Sequence, residues 1–301
     1  MTEVMIKSGC YIGILILGFV LRRTGFFDEH AFPVLTKLVM NVTLPAALIA
    51  NAEGRRIDLS LLSIIFLGFF CSVIYMVLAY LLNRKRGRNQ QAFEILNTPG
   101  YNIGTFSLPF TQSFLGPMGV LTTSLFDLGN AFICLGTAYG VAASVKEGRR
   151  FDLGRILNKL IHSIPFLAHI LTVAMNLARL DFPAPVISFA QTIGGANPFL
   201  AMFMIGVGFD PHMDFTKIKT IGRVLTVRYS VAAALACCFY FLMPFPLEVR
   251  QALVILAVSP IGSVMPGFTA ELKEDVGLSC TLVSLSILIS IPLYLVLLVL
   301  I

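Results

Sequence analysis

The chain has 301 residues, of which 57% are hydrophobic and only 13% are charged, and its formal net charge is +6 at neutral pH. A soluble globular domain is about 45–50% apolar and about 25% charged, so this composition excludes an ordinary soluble domain. The mean hydropathy is +0.86. The apolar runs reach about 20 residues, the length at which a helix crosses a bilayer. We therefore predict an all-α polytopic membrane protein.

Ten membrane spans, joined by short loops, are predicted in chain order. They cover residues 4–21, 31–51, 57–82, 90–113, 117–144, 153–178, 184–207, 218–242, 247–271 and 277–300. The first run leads into "RRTGFFDEH" without a small-residue cleavage site, which favours a membrane span over a cleaved signal peptide. No soluble domain is predicted between the spans, so the function is expected to lie within the membrane.

The lysines and arginines of the loops predict the orientation. Fourteen of the eighteen in the N-terminal segment and the loops fall in the odd-numbered loops. Because basic loops stay on the cytoplasmic side, we expect both termini outside the cytoplasm of a multi-pass protein of the cell membrane. Basic clusters such as "RKRGR" (84–88) are interpreted as topology determinants beside anionic lipid and not as a nucleic-acid surface.

Two spans carry helix-breaking residues at matching positions. Span four contains "NTPGYNIGTFSLP" (97–109), and span nine, five spans later, contains "SPIGSVMPGF" (259–268). Spans two and seven form a second pair, with "NVTLPAALI" and "GANPFLAMFMIG". Since five is an odd number of crossings, the second copy is inverted, and paired broken spans are typical of an inverted-repeat transporter. The alternative is that proline and glycine are simply tolerated in these helices.

Several motifs, in this order, resemble the auxin efflux carrier family, which includes bacterial organic-acid permeases and plant auxin exporters. The segment "LGFVLRRTGFFDEHAFPVLTKLVMNVTLPAALIAN" is similar to the first two spans of that family. The elements "NIGTFSLPF", "FDLGNAF" and "NPFLAMFMIGVGF" resemble its spans four, five and seven. The resemblance extends over essentially the whole chain.

The resemblance implies a fold like that of the bile-acid/sodium symporter superfamily. Residues 1–148 and 149–301 are then two inverted five-helix repeats. Spans one, two, six and seven form a panel (scaffold) domain, and spans three to five and eight to ten form a core (transport) domain. Helices four and nine are unwound and cross near the midplane. This sequence departs from the family pattern at Pro266, a second proline after Pro260, which leaves the geometry of that crossing open.

The break in span four predicts a small polar site. Pro99 lacks an N–H and Gly100 is conformationally permissive, so the helix should end near Thr98 and restart near Asn102 or Ile103. A restarted half-helix presents free N–H groups and a positive dipole end, which favours an anion. The predicted substrate-binding residues are Pro99, Gly100, Asn102, Thr105, Ser107, Ser259, Pro260, Gly262 and Ser263, together with Asn41 and Asn197.

Other roles remain open for the polar residues of this stretch. Asn102 is well placed to cap the new helix, and a cap needs no ligand. The hydroxyl groups of Thr105 and Ser107 can hydrogen-bond within their own helix.

Ionisable residues inside spans are functional candidates. Asp127 in span five shares a helix face with Asn130, and the pair is a candidate for carrying a coupled proton or for fixing the broken helix. Arg228 is expected to pair internally or to reach an interface, and Lys37 to snorkel. His162 and His169 are seven residues apart, so we expect them on one face of span six. They lack the neighbouring ligands of a metal site.

The predicted function is secondary transport of a small organic anion, such as a mono- or dicarboxylate, by alternating access. A sodium-coupled symporter and a non-transporting ligand sensor are the alternatives. "GVGFD" (206–210) differs from the Gly-x-Gly-Asp motif of intramembrane aspartyl proteases by one inserted residue, so no enzyme is predicted. No cofactor is expected. The resemblance suggests a homodimer.

Overall fold

The computed structural model describes residues 2–28, 30–52, 57–148, 152–209 and 217–301, and within these ranges the regular structure is helical. The α-helices are α1 Thr2–Arg23, α2 Ala31–Leu38, α3 Leu44–Ala52, α4 Ser63–Leu82, α5 Arg88–Asn97, α6 Leu108–Phe114, α7 Gly116–Phe132, α8 Ala138–Glu147, α9 Leu153–Ile161, α10 Ile164–Leu177, α11 Ala184–Gly194, α12 Asn197–Gly208, α13 Ile218–Leu242, α14 Leu247–Ala257, α15 Met265–Glu271 and α16 Val276–Leu300. Asp210, the last residue of "GVGFD", lies outside the described residues.

The predicted all-α membrane fold is confirmed. Six helical stretches of the described chain are long and apolar enough to cross a bilayer: Ala31–Asn51, Leu59–Leu82, Gly116–Glu147, Ala184–Gly208, Ile218–Leu242 and Val276–Leu300. Predicted spans four and nine are divided into helical stretches of at most 12 residues, each shorter than a bilayer needs.

Span six departs from the single straight helix that the sequence suggested. Its two halves, α9 and α10, are bent by 76°. His162 lies exposed at the bend, whereas His169 is buried in the middle of α10. The expectation that these histidines share one face was wrong, because the 3.6-residue periodicity holds only within a continuous helix.

Both predicted helix breaks are present at the expected places. Helix α5 ends at Asn97, and the chain becomes helical again at Ile103. In span nine, α14 ends at Ala257 and α15 begins at Met265. The extra proline, Pro266, lies in the first turn of α15, where a proline costs no backbone hydrogen bond. It therefore leaves the crossing intact.

Two prolines inside spans follow π-helical turns. The turn Val39–Thr43 precedes Pro45 in span two, and the turn Ile103–Ser107 precedes Pro109 in span four. A proline removes one backbone donor and crowds the preceding turn, and a wider π-turn accommodates both effects within a continuous helix.

Helices of spans three and five meet through glycines. A Cβ atom on Gly68 would overlap the carbonyl oxygen of Phe126, and one on Gly129 would overlap the carbonyl oxygen of Ile65. Spans one and seven approach in the same way through Gly18 and Gly206. Small residues at these contacts let the backbones pack closely, which is how helices associate where lipid supplies no hydrophobic drive.

The contacts between spans place the two broken helices against span five. Spans one and seven pack together, and span two packs on spans six and seven. Spans three, four and nine pack on span five, and span eight contacts spans three, nine and ten. The division into two inverted repeats stays a prediction.

Gly129→Ala is expected to destabilise the protein, because the added methyl group would force α7 away from α4. Overpacking a tight contact costs about 1–3 kcal/mol. Gly222→Ala is the matched control, since no atom lies within 4 Å of the position its Cβ would take. The melting temperatures of the two purified variants test this expectation, and equal values would contradict it.

Candidate functional site

The two broken spans cross through their backbones. Tyr101 and Ile261 form an isolated antiparallel β-bridge, and the Asn102 N–H donates to the Pro260 carbonyl over 2.9 Å. Inside a membrane protein every backbone polar group needs a partner, so two unwound segments stabilise each other by pairing. The predicted crossing of helices four and nine is thereby confirmed.

Arg228 of α13 holds both breaks. Its Nη1 donates to the Thr98 carbonyl over 2.7 Å, and its Nη2 donates to the carbonyls of Ser259 and Pro260 over 2.8 and 2.9 Å. These carbonyls follow the C-terminal ends of α5 and α14, where the helix dipoles concentrate negative charge. One guanidinium group thus satisfies acceptors that unwinding has left free.

The positive charge of Arg228 is buried without a carboxylate. The residue is 1% exposed, and no ion pair joins it to an acidic side chain within the described parts of the chain. Its guanidinium carbon lies 5.4 and 5.2 Å from the ring centres of Tyr75 and Tyr101, which provide cation–π stabilisation. The sequence allowed internal pairing or snorkelling, and the structure shows pairing with carbonyls.

Polar side chains of spans five and ten bind the backbone of the two unwound segments at the crossing. Asn130 accepts from the Tyr101 N–H over 3.0 Å and donates to the Tyr101 carbonyl over 2.9 Å. Ser286 accepts from the Ile261 N–H over 2.9 Å. Asn130 therefore takes the place of a neighbouring strand, which gives it a structural role beside its predicted role in proton coupling.

A cavity of about 70 Å³ lies beside the crossing. One side is formed by spans four, five and nine, and the other by spans two and six. The polar lining groups come from Asn102, Thr105, Asp127, Asn130, Ser163, His169 and Ser263, and the apolar ones include Met40, Leu44, Leu135, Phe166 and Val264. Gly262, also predicted from the sequence, lines it as well.

Asn102 lines this cavity and carries a buried donor without a partner. It occupies the N-cap position of the restarted helix, but its side chain makes no capping hydrogen bond. Its Oδ1 instead accepts from the Thr105 hydroxyl group. Its Nδ2 is buried without a hydrogen-bond partner among the described residues. A buried amide donor without a partner is costly, so a ligand acceptor would stabilise it.

Asp127 also lines the cavity, and it lies between two partners. Its Oδ1 accepts from Asn130 Nδ2 over 3.0 Å, and its Oδ2 lies 3.3 Å from His169 Nε2. The histidine belongs to α10 of span six, so this contact joins span five to span six. The sequence pattern predicted no function for His169, and its position inside a span is the signal that points to one.

Several predicted residues lie away from the cavity. Ser107 and Ser259 are 2.6 Å apart and both contact the Tyr294 hydroxyl group, at 2.7 and 2.8 Å, in a buried cluster behind the crossing. Asn41 is exposed, and Asn197 accepts from Thr43 at the contact of spans two and seven.

Pro99, Gly100 and Pro260 shape the crossing and do not line the cavity. Gly100 has a φ of +79°, and an added Cβ would lie 2.9 Å from Cys134 Sγ. Both the dihedral angle and the space therefore require glycine at this position.

Three other charged residues lie near helix ends. Lys37 is exposed in the last turn of α2, in agreement with snorkelling. Glu271 pairs with Arg155 and Lys159 at 3.1 and 3.3 Å, which fits a solvated helix end. Glu94, one of the few acids near the breaks, is buried in an ion pair with Arg223.

Comparison with known proteins gives two matches. Residues 11–152 match a family described as "Membrane transport protein". The chain is also similar to an "Uncharacterized transporter" of Methanothermobacter thermautotrophicus (strain Delta H), with 24% identity over 293 residues that cover 93% of this chain and 94% of the relative. These matches confirm the family resemblance drawn from the sequence.

Arg228→Met is expected to destabilise the crossing strongly, because three buried carbonyls lose a charged donor. Hydrogen bonds to charged groups contribute about 1.5–3 kcal/mol each, so we expect a loss of at least about 3 kcal/mol. The stability of Arg228→Lys should fall between that of the wild-type protein and that of Arg228→Met, since one ammonium group cannot span both breaks. Exposed Arg86→Met serves as the control, and a melting temperature of Arg228→Met equal to that of the control would refute the assigned role.

Proposed function

We propose that this chain, a membrane transporter by its similarity to the membrane transport protein family, is a secondary carrier of a small organic anion. The substrate would bind in the cavity beside the crossing of spans four and nine, and alternating access would move it across the membrane. The observation that carries the proposal is the buried, unpartnered Nδ2 donor of Asn102 at that cavity.

The charges around the crossing support the binding of an anion. Arg228 lies behind Tyr101 and contributes a positive charge that no acidic side chain of the described residues pairs with directly. Asp127 lines the cavity and contributes one negative charge. In surroundings of low dielectric constant these charges act over longer distances than in water, so the site tolerates an added anion better than an apolar cavity would.

The helix that restarts at Ile103 adds to this attraction. With α6 it forms a helical stretch from Ile103 to Phe114, whose N-terminal N–H groups begin beside Asn102. The positive end of a helix dipole stabilises a nearby negative charge. Discontinuous helices use their N-terminal ends in this way to bind anionic substrate groups in other transporters.

The composition of the cavity wall supports the mechanism. Spans two and six contribute one wall and spans four, five and nine the other, with mostly apolar side chains on the first. Relative movement of these two groups would open the cavity to alternate sides. In this scheme Asp127 is a candidate proton carrier, because a carboxyl group held at membrane depth can exchange a proton when its partners change.

Asn102→Ala is expected to weaken substrate binding by about ten- to hundredfold, because one hydrogen bond to a charged group is lost. The measurement is saturable uptake of short radiolabelled carboxylates into proteoliposomes. Asn41→Ala is the matched control, since Asn41 is exposed and outside the cavity. Uptake by Asn102→Ala with unchanged half-saturation would count against the proposed site.

The coupling ion is tested by replacing sodium with an organic cation on both sides of the membrane. We expect unchanged carboxylate uptake, because Asp127 is the single carboxylate among the described residues that line the cavity. Uptake that requires sodium would favour the sodium-coupled symporter instead. Saturable binding without any flux would favour the ligand sensor.

A further inference from the structure

His169 is a buried ionisable group at the cavity for which the proposed function has so far given no role. It is 3% exposed and lines the cavity from span six. Its Nε2 lies 3.3 Å from Asp127 Oδ2. Its other ring nitrogen, Nδ1, is buried without a hydrogen-bond partner among the described residues.

The two nitrogens of this imidazole therefore have different surroundings. In a neutral imidazole one nitrogen is a donor and the other an acceptor, whereas both are donors in the protonated ring. With Nε2–H donating to Asp127, a neutral His169 leaves Nδ1 as a bare acceptor. Protonation converts Nδ1 into a donor, and a buried donor is costly unless it finds an acceptor, such as an oxygen atom of a ligand bound in the cavity.

The charges at the site require one more positive group when an anion binds. Arg228 and an ionised Asp127 balance each other, so a bound carboxylate leaves one negative charge in excess. Burying an uncompensated charge is costly, and the usual response is a change of protonation. His169 has a ring nitrogen without a partner that can accept a proton, so it is the group that we assign to this role.

The titratable and charged groups near His169 are few, and Asp127 is the one in contact that could take up the proton instead. Span five contributes Asp127 and, at the same cavity, Cys134. The crossing contributes Tyr101, with Arg228 behind it. The residues that span two places at the cavity, Met40 and Leu44, are apolar, and His162 is exposed at the bend of span six. Among the described residues, Asp127 is the one acidic side chain in contact with the imidazole.

We infer that His169 is the proton-bearing counter-charge of the substrate carboxylate, so that each anion binds together with one proton taken up from solution. This inference rests on the proposed anion transport and specifies it. The Asp127–His169 contact joins the two walls of the cavity, so protonation and substrate binding both act at the contact that must change when the walls move.

The same geometry selects the class of substrate. Asn102 Nδ2 and a protonated His169 supply two donors, one for each oxygen of a single carboxylate group. No lysine or arginine side chain lines the cavity within the described chain, and its volume of about 70 Å³ accommodates only a few water-sized groups. The substrate is therefore a short monocarboxylate, and a dicarboxylate would leave its second charge without a partner.

Calorimetric titration of purified protein with propionate tests the inference, with succinate for comparison. Measurements between pH 6 and 8 in two buffers of different protonation enthalpy give the number of protons bound per propionate. We expect a proton number approaching one at the upper end of this range, and an affinity that weakens by up to tenfold per pH unit as pH rises. Succinate should bind at least tenfold more weakly than propionate.

Two variants separate this role from a structural one. His169→Gln should abolish both the proton uptake and the pH dependence, while His162→Gln, the matched control, should change neither. Asp127→Asn removes the negative charge that creates the need for a proton, so it should bind propionate with a proton number near zero although His169 is retained. Should His169→Gln fail to fold, the imidazole nitrogen chemical shifts of the wild-type protein with and without propionate show directly whether His169 gains the proton, and unchanged shifts would overturn the inference.

The outcomes are distinguishable. Propionate binding by the wild-type protein without proton uptake, or unchanged pH dependence in His169→Gln or Asp127→Asn, would overturn the inference and leave anion binding intact. Tighter binding of succinate than of propionate would overturn the assignment to monocarboxylates. Absence of binding by every short carboxylate tried at any pH would refute the proposed function itself.

Discussion

The guanidinium group of Arg228 is the constraint on which the rest of the site depends. Two helices stop within the membrane, and each stop exposes carbonyl groups that lipid cannot satisfy. Arg228 donates to Thr98 of one break and to Ser259 and Pro260 of the other. It therefore joins segments about 160 residues apart in sequence and leaves a positive charge at the crossing. The proposed anion site depends on the same interaction that stabilises the fold.

Backbone pairing and side-chain amides complete this arrangement. Tyr101 pairs with Ile261, and Asn130 binds the remaining backbone groups of Tyr101. Asn130 also donates to Asp127, so the residue that fixes the crossing also orients the carboxylate at the cavity. Stability and the proposed function therefore depend on the same side chains, because a half-satisfied polar network inside the membrane would be worse than none.

Sequence patterns predicted much of the fold and part of the site. The breaks at Asn97 and Ile103 were located within a residue or two, because proline and glycine act locally. Asn102, Thr105, Gly262 and Ser263 do line the cavity. Ser107 and Ser259 instead bind Tyr294, since the direction in which a side chain points depends on packing around the crossing. The 76° bend of span six separated two histidines that periodicity had placed together.

The sequence by itself determined the membrane class, the course of the spans and the positions of the helix breaks, because hydropathy, proline and glycine act through the residue itself and its close neighbours. Only the tertiary structure decided which polar groups meet. Arg228 reaches two breaks and His169 reaches Asp127 through contacts between distant spans. Such contacts depend on the crossing and bending of helices, and no periodicity within one span encodes them.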